Sequence, residues 1–528
     1  MHKRIYVLLI SIFIPALGLI VLTSCTTSVK TPHDANLPYL NSLEYEYEEG
    51  KILIGYNDQT AIQQLAKIVD GNVQSIDEKL KVATIKLNSS VETAYKLIKQ
   101  NGDALSGIDY IEPSYKRCIP YFHSDIALNK SNSIQTKTYV NYTGESLDQY
   151  LWGVKAVLAK EMWDNGYLGN GVTVAVLDTG IDATNPELQG QVIKGYSASS
   201  DKEIPAGTDS SYGGAHGTHV SGTIAAKKDG RGIVGISPNV KLMPIVIFSP
   251  FYAGDERVAA GIEWAVDNGA KVLSNSWGGL GYSITLKRAI DYALSKGVVV
   301  VVAAGNSTSY QSFLYPANYP GVIQVGAVEN TNPYRTANFS NRSPMLSVGA
   351  PGKNILSTVP QNGSMGYEGG FEIDGVYYDI MSGTSMATPH VSALAALILQ
   401  KYPNAQPWQV RKLLQDGAQD IDDAGIDPSS GYGLISSHSL ELPLPTTGGC
   451  NLKVRVTDGA TTPSGISVSL IGTNTDGKNV RYFALTDSGI AEFFSIDTGE
   501  YNIIIGGSGK SKELTTTIST NTTVEIAL

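Results

Sequence analysis

The chain has 528 residues, 42% of them hydrophobic and 17% charged, and a net charge of −10. That length exceeds one ordinary core and calls for two to four domains, while the acidic balance and the lack of a Lys/Arg stripe argue against nucleic acid and leave proteins, peptides or small molecules as partners. Three cysteines, Cys25, Cys118 and Cys450, exclude a disulfide-dense scaffold and a CxxC zinc site.

Residues 1–25 open with a basic stretch, run apolar from Ile5 and end in small residues, the layout of a secretory signal, although the run is also near the lower length of an uncleaved membrane helix. Leu22-Thr23-Ser24-Cys25 resembles the bacterial lipobox, which implies export, lipidation of Cys25 and attachment to a membrane. Residues 26–44 read as a polar tether. Over 45–117 the pattern predicts a small α+β domain of the ferredoxin-like kind, with strands at 51–56, 81–87 and 107–112 and helices at 61–69 and 91–100. Residues 118–147 form a polar linker. From 148 to 440 short apolar strands (172–177, 241–248, 271–273, 298–304, 322–325) alternate with helices (258–266, 286–294, 387–399), which predicts a parallel sheet covered on both faces. A Pro/Gly-containing linker spans 441–449. It includes Leu444-Pro445-Thr446-Thr447-Gly448, a match to the cell-wall sorting pentapeptide without the apolar segment and basic tail that signal needs. Residues 450–528 alternate like the strands of a β-sandwich.

Three segments carry chemistry. Ala175-Val176-Leu177-Asp178-Thr179-Gly180 sets an aspartate at the carboxyl end of a strand, His216-Gly217-Thr218-His219 opens a small-residue helix, and Gly383-Thr384-Ser385-Met386 sets a serine at another helix start. Active sites of α/β folds lie at the carboxyl edge of the sheet, and helix N-termini favour a developing anion.

These motifs, in this order, resemble the subtilisin family of serine peptidases. The resemblance implies that Ser385 is the nucleophile, His216 the base and Asp178 the group that holds the imidazole. It implies that Asn306, in Ala303-Ala304-Gly305-Asn306, supplies an oxyanion donor beside the Ser385 N–H. His219 and His390 read as structural. Ser276-Trp277-Gly278-Gly279 matches the strand that pairs with extended substrate, and Ala304 and Gly305 the facing wall of the S1 pocket. No acidic residue follows that strand in Leu280-Gly281-Tyr282-Ser283, so an apolar or aromatic P1 preference is expected. Trp277 either narrows a neighbouring pocket or packs in the core. The segment 45–117 is similar to propeptides that assist folding and inhibit through a tail in the cleft, with cleavage expected between Arg117 and Asp148. The family's calcium site maps onto Asp148, Glu187 and Asp229 side chains and Lys227, Arg231 and Ile233 carbonyls. An insertion at 360–379 predicts a hairpin beside the nucleophile, able to shape the primed side of the cleft.

A lipid on Cys25 lies upstream of the expected cut, so maturation releases the catalytic domain unless the prodomain stays bound or Cys118 bridges to Cys450. Two readings compete with a broad endopeptidase: a silent surface scaffold binding through its β-sandwich, and a processing peptidase dedicated to one partner.

Overall fold

The computed structural model describes residues 40–101, 105–119, 122–123, 141–212, 214–248, 252–308, 314–360, 370–459, 461–507 and 509–528. The leader with Cys25 lies outside the described residues.

The N-terminal unit runs β1 (Tyr47–Tyr56), α1 (Thr60–Ile68), β2 (Gly71–Asp77), β3 (Val82–Leu87), α2 (Val91–Gln100) and β4 (Ile108–Arg117). Its sheet has the order β4-β1-β3-β2, the ferredoxin-like arrangement. Ile62, Leu65 and Ala66 of α1 and Val91, Ala94 and Ile98 of α2 recur at helical spacing and pack on the sheet. Strand β2 goes unpredicted because it is an edge strand with both faces partly in water, so Asn72, Gln74 and Ser75 carry no apolar signal.

The central unit is a parallel sheet. Its strands are β5 (Thr173–Asp178), β6 (Gly195–Ser197), β7 (Lys241–Val246), β8 (Val272–Asn275), β9 (Val299–Ala303), β10 (Ile323–Glu329) and β11 (Val348–Pro351). They lie in the order β11-β10-β9-β8-β5-β7-β6. Helices α3 (His216–Ala225), α4 (Asp255–Asp267), α5 (Ile284–Ser295) and α6 (Thr384–Lys401) cover it. The central strands are sealed on both faces, which is why β9 reads Val-Val-Val-Val-Ala with every residue buried. One apolar cluster contains Val220 of α3 with Leu394 of α6, and the other Ile262 of α4 with Ile290 of α5. The expected hairpin is present as β12 (Phe371–Ile373) and β13 (Val376–Ser382), turned at Asp374-Gly375, where both residues have positive φ.

The C-terminal unit is a sandwich of seven strands. β14 (Gly449–Thr457), β17 (Ile490–Asp497) and β20 (Thr522–Ala527) form one sheet. β15 (Ser467–Asn474), β16 (Asn479–Leu485), β18 (Gly499–Gly507) and β19 (Lys510–Ile518) form the other. The buried Arg411 of the central unit pairs with Asp497 at 2.6 Å and helps to fix the sandwich in place. Cys450 is a buried free thiol inside it. The proposed Cys118–Cys450 bridge is therefore corrected: Cys450 packs in the sandwich core as a small apolar side chain.

Arg288 of α5 touches all three units. Its guanidinium pairs with Asp487 of the sandwich (Nε–Oδ2 2.5 Å, Nη2–Oδ1 2.7 Å) and with Asp109 of the N-terminal unit at 3.1 Å, and donates to the Leu80 and Lys81 carbonyls. Arg288→Ala leaves two carboxylates without their cation at one junction, and is expected to cost about 2 to 4 kcal/mol of the full chain's unfolding free energy. Urea unfolding of the intact chain checks this. An unchanged midpoint would mean that the junction is held by packing alone.

Candidate active site

Asp178 ends β5, and its carboxylate accepts the Thr179 N–H at 2.7 Å. Gly180 follows with φ +102°, and a Cβ there would stand 1.8 Å from the Ser210 carbonyl oxygen. A Cβ at Gly217 would stand 2.1 Å from the Gly180 carbonyl. Two glycines thus let the aspartate turn and the start of α3 touch. Thr179 Oγ1 ties them further, accepting the Gly217 N–H at 2.9 Å and donating to the Gly214 carbonyl. The result sets His216 Nδ1 2.9 Å from both Asp178 carboxylate oxygens, with Asp178 wholly buried and His216 3% exposed. An aspartate so placed fixes the proton on Nδ1 and turns Nε2 into a base.

Ser385 is buried in the first turn of α6. Its Oγ donates to the Ser276 carbonyl at 3.0 Å while Ser276 Oγ donates to the Ser385 carbonyl at 2.9 Å, so Ser385 and the segment at Ser276 are locked together. Asn306 Oδ1 accepts both the Thr384 N–H and the Thr384 hydroxyl at 2.9 Å. With its carbonyl end committed, Asn306 turns its NH₂ the other way, and an amide held like this can donate to a developing oxyanion.

Two contributors escape sequence reasoning. Thr384 sits inside the quoted serine motif, yet its orienting role depends on Asn306 being folded beside it. Asn341 has no signal at all. Its Nδ2 donates to the Ala304 carbonyl at 3.0 Å and its Oδ1 accepts the Ser307 N–H at 2.8 Å, stapling the loop that carries Gly305 and Asn306. His219 Nε2 lies 3.1 Å from the Ile355 carbonyl, and His390 Nδ1 2.9 Å from that of Met386. Burial pushes the His390 pKa down to about 4, so it stays neutral and structural.

The end of β4 runs into the cleft. Lys116 and Arg117 pair antiparallel with Gly254 and Ala253, and Cys118 exchanges both backbone hydrogen bonds with Gly278 (2.9 and 3.0 Å). Gly279 exchanges a second reciprocal pair with Tyr315. Beyond Ser385's position, Phe122 and His123 pair with Ser382 and Met381 of β13. The chain's own segment is therefore held by backbone pairing to Gly278 at Cys118 and to β13 at Phe122 and His123. Leu314 lies between the two walls, close to both Gly278 and Gly305. Ala304 is buried beside it. Trp277 is fully buried in the cluster around α4 and α5 that also includes Tyr110 of the N-terminal unit. The region is not without acid, because Asp255 at the start of α4 faces the strand's far end and binds Arg117.

The expected cation ligands divide. Asp148 is committed elsewhere: it accepts the Tyr142 and Thr143 N–H groups and pairs with Lys155 at 2.9 Å. Glu187 Oε1 accepts the Ile233 N–H at 3.2 Å and the Tyr378 hydroxyl from the inserted hairpin. Asp229 Oδ1 accepts the Arg231 N–H. Glu145, unremarked in the sequence, faces the Gly230-Arg231 turn, is 1% exposed, and leaves Oε2 without a hydrogen-bond partner. Burial pushes both Glu145 and Glu187 up to about 7, helped by the Asp229 charge. Among the described residues no three acidic, His or Cys side chains could hold a metal by themselves, so backbone carbonyls would have to complete any shell.

Residues 169–433 match the Subtilase family, 39–114 the Fervidolysin N-terminal prodomain and 444–523 the DR_A0283-like, Ig-like domain. Fervidolysin of Fervidobacterium pennivorans is 48% identical over 503 residues, covering 90% of this chain and 71% of its own length. Subtilisin DY of Bacillus licheniformis is 40% identical over 277 residues, 52% of this chain and 93% of its own. The crystal structure of fervidolysin, described as a keratinolytic enzyme related to subtilisin, superposes with a TM-score of 0.83 at 42% identity, covering 96% of this chain and 82% of that one.

The Asn306 geometry makes a graded prediction. Asn306→Ala should lower kcat at least about a hundredfold with KM nearly unchanged, and Thr384→Val, which frees the amide to turn, about tenfold. Steady-state kinetics on one peptide substrate checks both; equal losses in KM would assign these residues to substrate binding instead.

Proposed function

The chain belongs to the subtilase family of serine endopeptidases and carries a prodomain, and from that premise we propose that it is an exported, self-processing zymogen whose catalysis runs through Asp178, His216, Ser385 and Asn306. The observation that carries this reading is the path of the chain's own strand. Cys118 is paired to Gly278 on one side of Ser385 and Phe122 to Ser382 on the other, as a substrate would be.

In this reading His216 Nε2 takes the Ser385 hydroxyl proton as Oγ attacks the scissile carbonyl. Asp178 holds the tautomer and stabilises the imidazolium that forms. The oxyanion accepts from the Asn306 amide and the Ser385 N–H, and the proton then passes from His216 to the leaving amine. Backbone pairing to Gly278 supplies affinity without demanding particular side chains, which suits many extended protein substrates. Leu314 between the walls makes the P1 pocket apolar and shallow. The prodomain inhibits by occupying the same strand position, and the bond it presents lies within the stretch 119–122. A dedicated processing peptidase and a silent scaffold have no comparable observation in their favour.

Calcium is the structural ion this reading assigns to the loop at 227–233. Glu187, Glu145 and the loop carbonyls of Lys227, Arg231 and Ile233 would hold it, with Glu145 in the place first expected for Asp148. The orphaned, buried Glu145 Oε2 and the crowding of Asp229 with two raised carboxyls are what a cation would relieve. The ion would supply rigidity to the loop and takes no part in the chemistry. Lipidation at Cys25 would tether only the zymogen, since the cut lies downstream.

Two outcomes follow. Wild-type protein expressed with its leader should yield a mature chain whose N-terminus falls within residues 120–122, whereas Ser385→Ala remains uncut; mass and N-terminal sequencing decide, and a cut in both would assign activation to another peptidase. The second concerns pH. Glu145 and Glu187 have folded pKa values raised from 4.5 to about 7, so the folded state binds more protons and the metal-free protein loses stability as pH rises from about 4.5 to about 7. Thermal melts of chelator-treated Ser385→Ala should show Tm falling across that window, calcium should restore it most above about pH 7, and Glu145→Gln should flatten the calcium response while Asp148→Asn keeps it. A melt indifferent to calcium at pH 8 would remove the ion from the proposal.

A further inference from the structure

Arg117 is the residue just upstream of the one paired to Gly278, and both it and Asp255 are wholly buried. Its Nε and Nη2 meet the two Asp255 carboxylate oxygens at 2.6 and 2.8 Å, and Nη1 donates to the Leu280 and Gly281 carbonyls at 2.9 and 3.1 Å. Gly279 forms the wall: a Cβ there would come within 3.2 Å of Arg117 Cδ and 2.7 Å of the Lys116 carbonyl. Four acceptors thus converge on one guanidinium, and every one of them belongs to the catalytic unit. They remain when the prodomain leaves.

A pocket of this kind is costly to fill with anything else. An aliphatic side chain would desolvate the Asp255 carboxylate and two carbonyls without bonding them, and an acidic one would add repulsion. Asp255 lies in the first turn of α4, where the helix dipole favours its negative charge and opposes the burial that pushes its pKa up to about 6. The planar fork matches Arg better than the point charge of Lys.

We propose that Asp255, with the Leu280 and Gly281 carbonyls, forms a substrate subsite that selects an arginine upstream of the cleaved bond, at the position Arg117 holds relative to the prodomain's own bond. This rests on the peptidase reading above. A cut within 119–122 puts that position at P3, P4 or P5. The enzyme then combines a permissive apolar P1 with a charged requirement further upstream, and its prodomain is a tight occupant because it carries the preferred residue.

The test uses mature enzyme obtained by self-processing of the full chain. Fluorogenic peptides share one P1 and primed side, and each of P3, P4 and P5 is varied in turn among Arg, Lys, norleucine and Glu. At one of the three positions Arg should exceed norleucine about tenfold in kcat/KM, Lys should fall between, and Glu should be lowest. The advantage should fall below about twofold in Asp255→Asn. Should that variant fail to mature, the wild-type series still decides. Equal rates for Arg and norleucine at all three positions, with the peptides cut, would overturn the subsite and leave Arg117–Asp255 as a prodomain latch, the peptidase reading intact. No cutting of any peptide would sink that reading and the subsite with it.

Discussion

Strand β4 has to satisfy backbone hydrogen bonds on two bodies at once, and most of the molecule's organisation follows from how it does so. Its upstream part pairs with β1 inside the prodomain sheet, Lys116 and Arg117 pair with Gly254 and Ala253, and Cys118 pairs with Gly278. A slip of one residue would reverse every side chain along the strand. The register therefore decides several things together: Arg117 faces Asp255, Cys118 meets Gly278, and Phe122 arrives at Ser382.

The same docking adds partners at two helix starts of the catalytic unit, one of which, α5, also carries its own Ser283 cap. Glu112 of β4 is fully buried and accepts four hydrogen bonds, from the Ser283 hydroxyl, the Ile284 and Thr285 N–H groups and the Asn41 amide. Two of those donors are orphans of the first turn of α5. At the neighbouring helix, Ser114 accepts the Asp255 N–H and donates to Glu256. A parallel sheet built from distant segments closes its contacts slowly. A preformed strand that caps two helix starts and lies beside the substrate strand gives those segments a surface on which to assemble. Occupation of the substrate-facing strand and support of two helix starts are then two consequences of one interface.

Legibility tracks how local each cause is. Parallel strands such as β9 were visible because burial on both faces makes them continuously apolar, and the hairpin at Asp374-Gly375 because its turn demands positive φ. The edge strand β2 was hidden because half-solvated strands carry polar residues. Asp178, His216, Ser385 and Asn306 could be picked out as candidates because each sits in a short motif, and neighbours such as Gly180 and Gly217 are required by close approach. The partners of Asn341, Glu145 and Asp255 could not be read, since each meets them across a gap that only folding closes. Asp148 shows the converse: position suggests a ligand, whereas the folded chain gives its oxygens Lys155 and two N–H groups as partners.

What the sequence determined by itself is therefore the set of parts: a three-unit chain, a parallel sheet, and residues with the chemistry of peptide hydrolysis in motifs that local backbone geometry makes recognisable. The tertiary structure decided how those parts act on one another. It set which carboxylates meet a cation and which stay uncompensated, that Cys450 packs as an apolar side chain, and which arginine fills the acidic pocket beside Gly279. Those outcomes depend on distance and desolvation between residues far apart in the chain, and neither quantity exists until the chain is folded.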